Sequence, residues 1–481
     1  IHIYYVRILF IKKKIERRVL EKMKSKKGSL VLLIVPLSLL LLLYVNPFRS
    51  SSSHQTTIST LHLANPTSSS ANYAVIFDAG SSGSRVHVYH FDSNLDLLPF
   101  ANELEIFKQV KPGLSSYASN VTAAAESLVG LLQVAEEAVP QDMHSSTQAR
   151  VGATAGLRSL SGNTSEEILE AVRNLIKEKS DFKLESDDAV AVLDGIQEGS
   201  YLWVSINYLL GNLGKEYGKT VGVIDLGGGS VQMAYAISEE AYANAPNPTY
   251  GDETYVKETF LKGSKYYLYV HSYLGYGLLA ARAGLLNVTG DSGSPCILGG
   301  YKGSYTYSGV TYNAKASRRG SSINKCRNVA DKALRISETC SYLNCTFSGI
   351  WNGGGGLGES NLYVGSFFFD RANQVGFING SDNVAKAYPA QFKKAATLAC
   401  RTKLKDAKSV FPGVDESDLP YICLDLVYQY SLLVDGFGLD PSQEITLMKK
   451  IKYQDGWAEA QWPLGSAIEV VSSSSSSLKA I

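Results

Sequence analysis

From residue 72 onward, short apolar runs bounded by Gly, Asp or Ser alternate with longer stretches in which apolar positions recur every three or four residues. The short runs predict strands over 74–80 (AVIFDAG), 85–91 (RVHVYHF), 149–156 (ARVGATAG), 189–195 (AVAVLDG) and 220–227 (TVGVIDLG). The longer ones predict helices over 122–139, 165–179 and 196–210. This alternation predicts an α/β architecture. Ahead of it, residues 30–45 (LVLLIVPLSLLLLLYV) are apolar apart from Pro36 and Ser38. Sixteen residues fall short of the roughly 20 that span a bilayer core, so either a signal-anchor helix or a cleaved signal peptide fits. Residues 49–71 are rich in Ser and Thr without an apolar period and read as a flexible stem. The polyserine run 472–477 likewise has no core-forming pattern, and 472–481 is expected to be a disordered tail.

Charge sharpens the address. Lys24, Lys26 and Lys27 precede the apolar run, which predicts a cytoplasmic N-terminus and a lumenal or extracellular body. The expected location is the secretory pathway, as a single-pass type II membrane protein of the Golgi or plasma membrane, or outside after cleavage. Met23 opens a compact basic-then-apolar export segment, so residues 1–22 read as lying outside the working protein. Over 481 residues, 46 Lys and Arg balance 45 Asp and Glu. Residues 1–27 hold ten basic side chains against two acidic ones, which leaves the rest of the chain net acidic. A basic nucleic-acid-binding surface on the body is therefore not expected. The length suggests two or three domains, at about 100 to 200 residues each.

Two further features fit export. Asn-x-Ser/Thr sequons occur at Asn120, Asn163, Asn287, Asn344 and Asn379. The six cysteines contain no CxxC, so disulfides are favoured over zinc or redox chemistry. Sequential pairing is expected because each pair lies within a local segment: Cys296 with Cys326, Cys340 with Cys345, Cys400 with Cys423.

The candidate chemistry lies in an internal echo. Residues 75–84 read VIFDAGSSGS and residues 222–231 read GVIDLGGGSV, each an apolar run ending in Asp-x-Gly and followed by a second strand pattern. Two such units predict a duplicated fold whose copies face each other. Small residues after each Asp let main-chain N–H groups converge on an anion, with Ser hydroxyls as further donors. Asp78 and Asp225 stand where a divalent cation bridging phosphate oxygens could be held, directly or through water. Between the copies, Thr154 offers a hydroxyl, and Arg158 fits either a phosphate ligand or a structural ion pair. Glu198 opens a helical stretch at a strand end. It fits a carboxylate that takes a proton from water or one that merely faces a helix dipole.

These segments resemble the apyrase (nucleoside triphosphate diphosphohydrolase) family. VIFDAGSSGSRVHVYHF, VGATAGLRSL, LDGIQEGSYLWVSINYLLG and VIDLGGGSVQMAYAI match its first four signature regions in order and spacing, and SGIWNGGGG with YVGSFFFDR matches the fifth more weakly. The endings YSLLVDGFGL and WPLGSAIE resemble the plant apyrases, and the match covers nearly all of 72–471.

The resemblance implies an actin-like ATPase fold: two ribonuclease-H-like domains, 72–194 with about 455–471 and 195–454, closing on a nucleotide. It implies Glu198 as the base, and Asp78, Asp225 and Gln232 as organisers of a Ca²⁺ or Mg²⁺ water shell. Phosphate contacts fall to Ser81, Ser82, Gly83, Ser84, Arg85, Thr154, Ala155, Gly227, Gly228, Gly229 and Ser230. Gly83 stands where many animal relatives have His, so no side-chain donor is expected there. Phe368 and Phe369, with Phe367, fit a nucleobase wall or a buried strand. The implied substrates are nucleoside tri- and diphosphates. A Golgi-type nucleoside diphosphatase, a lectin-like oligosaccharide-binding protein and a sugar kinase are the rival readings. Two decoys are set aside. Gly353-x-Gly355-x-x-Gly358 is followed by ESNLYVGSFFFD, which reads as strand with no helix, and Gly218-Lys219-Thr220 has Leu213 where a P-loop needs its first Gly.

Overall fold

The computed structural model describes residues 72–101, 103–246 and 254–479, with side chains as far as Ser472. The apolar run 30–45 and the stem lie outside these residues. Among the described residues no helix is long and apolar enough to cross a membrane.

Two sheets repeat one plan. The first contains β1 (Asn72–Ala79), β2 (Ser84–Phe91), β3 (Ile106–Val110), β4 (Gln148–Ala153) and β5 (Val190–Val192) in the order β3-β2-β1-β4-β5. The second contains β6 (Gly222–Leu226), β7 (Ser230–Ile237), β8 (Val256–Leu261) and β9 (Ser264–Leu274). Two hairpin strands, β10 (Ser304–Tyr307) and β11 (Val310–Asn313), come before its remaining members β12 (Leu362–Ser366), β13 (Val384–Ala387) and β14 (Ile445–Met448). Its order is β13-β14-β12-β6-β7-β9-β8, so β9-β7-β6-β12-β14 repeats the five strands of the first sheet. In both copies an antiparallel hairpin leads, and the next two strands run parallel to it. This is the actin-like arrangement of two ribonuclease-H-like sheets.

Strands at the centre of each sheet read as continuous apolar runs because both faces are covered. In β1, Ala74 and Ile76 face one core while Val75 and Phe77 face another. The inner core holds two helices, Gly195–Leu209 and Pro463–Lys479, between the sheets. An Asp194/Gln197 capping box starts the first (Gln197 N to Asp194 Oδ1, 2.6 Å). From Glu198 to Leu209 every residue of that helix is buried, which is why its sequence is apolar nearly all round. The helices approach so closely that a Cβ on Gly465 would lie 2.2 Å from Tyr201 O.

Several elements depart from the sequence pattern. The strand expected over 149–156 stops at Ala153, because the chain turns into a short helix at Ala155–Arg158. The one over 189–195 keeps only three residues, since Asp194 is already a helix cap. The helix over 122–139 breaks at Ser127 and Leu128, where Ser127 Oγ donates to Ala124 O (2.6 Å). The run FFFD is helix Phe367–Gln374, because Ser366 adopts a φ of 56° and ends β12. Gly353 and Gly355 nonetheless precede a short 3₁₀ turn, Leu357–Glu359, that contains Gly358 and leads into β12, so no dinucleotide turn forms. The serine run continues its helix to Lys479 instead of leaving a disordered tail from Ser472. Extending an existing helix costs little per residue, and Ser is only a mildly poor helix former.

The cysteines pair sequentially, as expected. A buried charge network joins three helices of the second lobe. Arg282 Nε and Nη2 donate to Asp425 Oδ1 and Oδ2 (2.8 and 2.6 Å), Arg371 Nε donates to Asp425 Oδ2 (2.9 Å), and both arginines reach Asp418. Asp425 is fully buried. Asp425→Ala would leave two buried guanidinium groups short of a partner, and is expected to cost about 3–5 kcal/mol, read as a lower urea midpoint at unchanged slope.

Candidate active site

The loops that follow β1 and β6 meet across one cleft of about 330 Å³. Equivalent hairpin positions pair in both lobes, Asp78 opposite Arg85 and Asp225 opposite Gln232. Asp78, Ser81, Ser82, Arg85, Thr154, Ala155, Glu198, Asp225, Gly227, Gly228, Gly229, Ser230 and Phe369 line the cleft. No hydrogen bond occupies the main-chain N–H of Ser81, Ser82, Gly83, Gly228 or Gly229 among the described residues. The N–H of Thr154 is taken by Ala79 O (3.2 Å), so its hydroxyl is what it can offer.

The glycines serve clearance more than left-handed turns: none of Gly80, Gly83, Gly227, Gly228 and Gly229 has positive φ. A Cβ on Gly228 would lie 2.6 Å from Ser81 Oγ in the opposite loop.

Four expected site residues do not line the cleft. Gly83 is buried under the end of β3, where a Cβ would meet Val110 O at 2.6 Å. Ser84 begins β2, is 1% exposed, and its hydroxyl finds no partner. Phe368 lies wholly in the core against Phe392, with ring centroids 5.7 Å apart, so it cannot be a nucleobase wall. It is Phe367 that joins Phe369 at the cleft. Gln232 stands behind the second loop, where Nε2 donates to Ser230 Oγ and Ser272 Oγ (2.7 and 2.8 Å) and Oε1 is buried without a partner.

Arg158 resolves into an ion pair with Glu198, and its Nη1 also reaches Ser272 Oγ at 3.4 Å. Burial pushes the Glu198 carboxyl up to about 7, opposed by Arg158 and reinforced by Asp225 and Asp78. Asp225 is raised to about 6, again by burial, with a hydrogen bond from Ser366 opposing.

Sequence reasoning missed Phe107 and Gln109 on β3, Ser366 at the end of β12 and Asp370 after it, Met448 and Lys449, and the stretch from Glu459 to Trp462. The duplication contains a signal for some of these. β12 is the counterpart of β4, so Ser366 occupies the strand end matching the Ala153–Thr154 turn.

The donor set can be tested for a divalent cation. Asp78, Glu198, Asp225, Asp370 and Glu459 face the cleft against Arg85 and Lys449, an acidic surplus beside loops shaped for anions. No cluster of three or more His, Cys, Asp or Glu able to cage a metal occurs among the described residues. Two carboxylates and an orphaned amide oxygen fit an ion that keeps its waters and is completed by substrate phosphates.

A duplicated sheet with an Asp-x-Gly loop on each copy and a cleft between defines the class, a two-lobed nucleotide-hydrolase fold. Residues 64–480 match the GDA1/CD39 (nucleoside phosphatase) family. The chain is 59% identical over 403 residues to Apyrase 1 of Arabidopsis thaliana, covering 84% of this chain and 85% of that one. It is 54% identical over 457 residues to Probable apyrase 2 of Oryza sativa subsp. japonica, covering 94% and 96%. A crystal structure of nucleoside triphosphate hydrolases from Neospora caninum shares the fold, with a TM-score of 0.54 at 14% identity over 83% of this chain and 93% of that one. This chain belongs to the GDA1/CD39 (nucleoside phosphatase) family.

The opposed influences on Glu198 give a signed prediction. In metal-free protein, carboxyl ¹³C NMR should find Glu198 titrating near 7. Arg158→Ala should move that midpoint up, because a stabilising cation is lost, and Asp225→Asn should move it down, because a repelling charge is lost.

Proposed function

We propose that this chain is an apyrase that hydrolyses the terminal phosphate of nucleoside tri- and diphosphates by direct attack of water. The observation that carries this reading is the position of Glu198, at the cleft with both phosphate loops and paired with Arg158. Relatives named apyrase at more than half identity support it.

Free N–H groups of Ser81, Ser82, Gly228 and Gly229 bind the phosphate oxygens, helped by the hydroxyls of Thr154 and Ser230, and stabilise the charge that spreads over them in the transition state. Asp78 and Asp225, with Gln232 behind the second loop, would hold Ca²⁺ or Mg²⁺, which would supply neutralisation of phosphate charge. Glu198, ionised and oriented by Arg158, accepts a proton from water. The water oxygen bonds to the terminal phosphorus as the bridging P–O bond breaks, releasing phosphate and the shortened nucleotide, with no phosphoenzyme. Recognition mainly through main chain and cation suits both tri- and diphosphates and several bases.

Glu198→Gln preserves shape and removes the base. It should lose about 10² to 10⁴-fold in kcat while metal-dependent nucleotide binding, followed by calorimetry, is largely retained. Near wild-type turnover would return Glu198 to a structural role. Asp225→Asn should instead weaken metal-dependent activity and raise the cation concentration needed for it.

We further propose that residues 30–45 direct the body into the secretory pathway, as a membrane-anchored or cleaved form. All five sequon asparagines are exposed and all six cysteines are bridged, which supports an oxidising, glycosylating compartment. Expression in a eukaryotic host should give a product whose mass falls on glycosidase treatment. An unglycosylated, cytosolic, active product would sink this topology.

A further inference from the structure

A second recess, of about 700 Å³, opens on the far part of the second lobe beside the Cys400–Cys423 disulfide. Arg318, Arg319, Arg401, Lys403 and Lys405 line it, and no Asp, Glu or aromatic residue does. Every other arginine among the described residues is held in an ion pair. Arg318, Arg319 and Arg401 are in none, and all three meet here.

Unpaired surface cations are ordinarily solvated and scattered. Here the three arginines without partners are gathered in one concavity of a body that is net acidic. The walls are tied to each other. Gly299 and Lys403 form a parallel bridge, Leu404 N donates to Gly299 O (3.0 Å), and Ser321 Oγ donates to Cys400 O (2.8 Å). Like charges kept together on a fixed frame repel one another, and a bound anion relieves that repulsion. Guanidinium forks match phosphate and sulfate oxygens in pairs.

We infer that this recess is a binding site for a small soluble polyanion bearing several phosphate or sulfate groups, separate from the catalytic cleft. It has no aromatic wall, so recognition rests on the charged groups. A recess, unlike a flat basic face, suits a compact ligand.

Inositol hexasulfate is a suitable probe, because it has no base and chelates divalent cations weakly. Calorimetry on the exported, glycosylated protein should show binding that weakens as salt rises. Arg319→Gln and Arg401→Gln should each weaken it on the order of tenfold, the scale of one lost charge-assisted hydrogen bond. The triple variant with Arg318→Gln should abolish it. ATP hydrolysis should be unchanged in all of them, which also reports correct folding. Should the triple variant fail to fold, the pair Lys403→Gln and Lys405→Gln reads the same site. A saturating non-hydrolysable nucleotide with Ca²⁺ should not displace the probe. Absence of binding, unchanged affinity in the variants, displacement by nucleotide, or binding only to vesicles carrying a phosphorylated headgroup would each overturn the assignment.

Discussion

Two helices buried between two sheets set the geometry on which everything else rests. Gly195–Leu209 and Pro463–Lys479 share the inner core with β1 on one side and β7 and β9 on the other. Close-packed interiors deform little, so this layer fixes how far apart the β1 and β6 loops stand. Glu198 sits in the first turn of one of these helices, and the stretch from Glu459 to Trp462 leads into the other. Both enter the cleft from the same rigid layer.

On that frame the cleft combines two opposing electrostatic demands. Loops with open N–H groups favour an anion, while Asp78, Glu198, Asp225, Asp370 and Glu459 disfavour one. The raised carboxyls of Glu198 and Asp225 register the strain of placing these acids together in a desolvated space. A dication together with a polyphosphate would satisfy both demands. The asymmetry between the lobes has the same origin. Asp78 already has Arg85 at 2.9 Å, whereas its counterpart Asp225 faces the uncharged Gln232.

The second lobe is larger than the first and stabilised differently. Segments inserted around its sheet hold the three disulfides, and its helices hold the Arg282–Asp425–Arg371 network. In that lobe every arginine other than Arg318, Arg319 and Arg401 is neutralised by a carboxylate. The basic recess beside Cys400 is where this rule lapses, and it lies in the disulfide-bridged part of the lobe away from the cleft lining.

The sequence by itself determined the duplication, the two Asp-x-Gly loops, the place of Glu198 at a helix start and the cysteine pairing. Each rests on local pattern: a strand ending in Asp-x-Gly, a helical stretch opening at a strand end, cysteines close along the chain. It overextended β4 and β5 because apolar, Gly-rich stretches do not mark where a turn begins. It misread the Phe367–Phe369 run, since three aromatic residues suit strand and helix alike until Ser366 turns the chain. Gly83 and Ser84 read as loop donors, because only the approach of β3 shows that they are covered. Tertiary structure alone decided that Arg158 pairs with Glu198, that Asp370, Lys449 and Gln461 reach the cleft, and that Arg318, Arg319 and Arg401 converge. These are contacts between segments distant in the chain, set by how the two sheets and their buried helices pack, and no local periodicity encodes them.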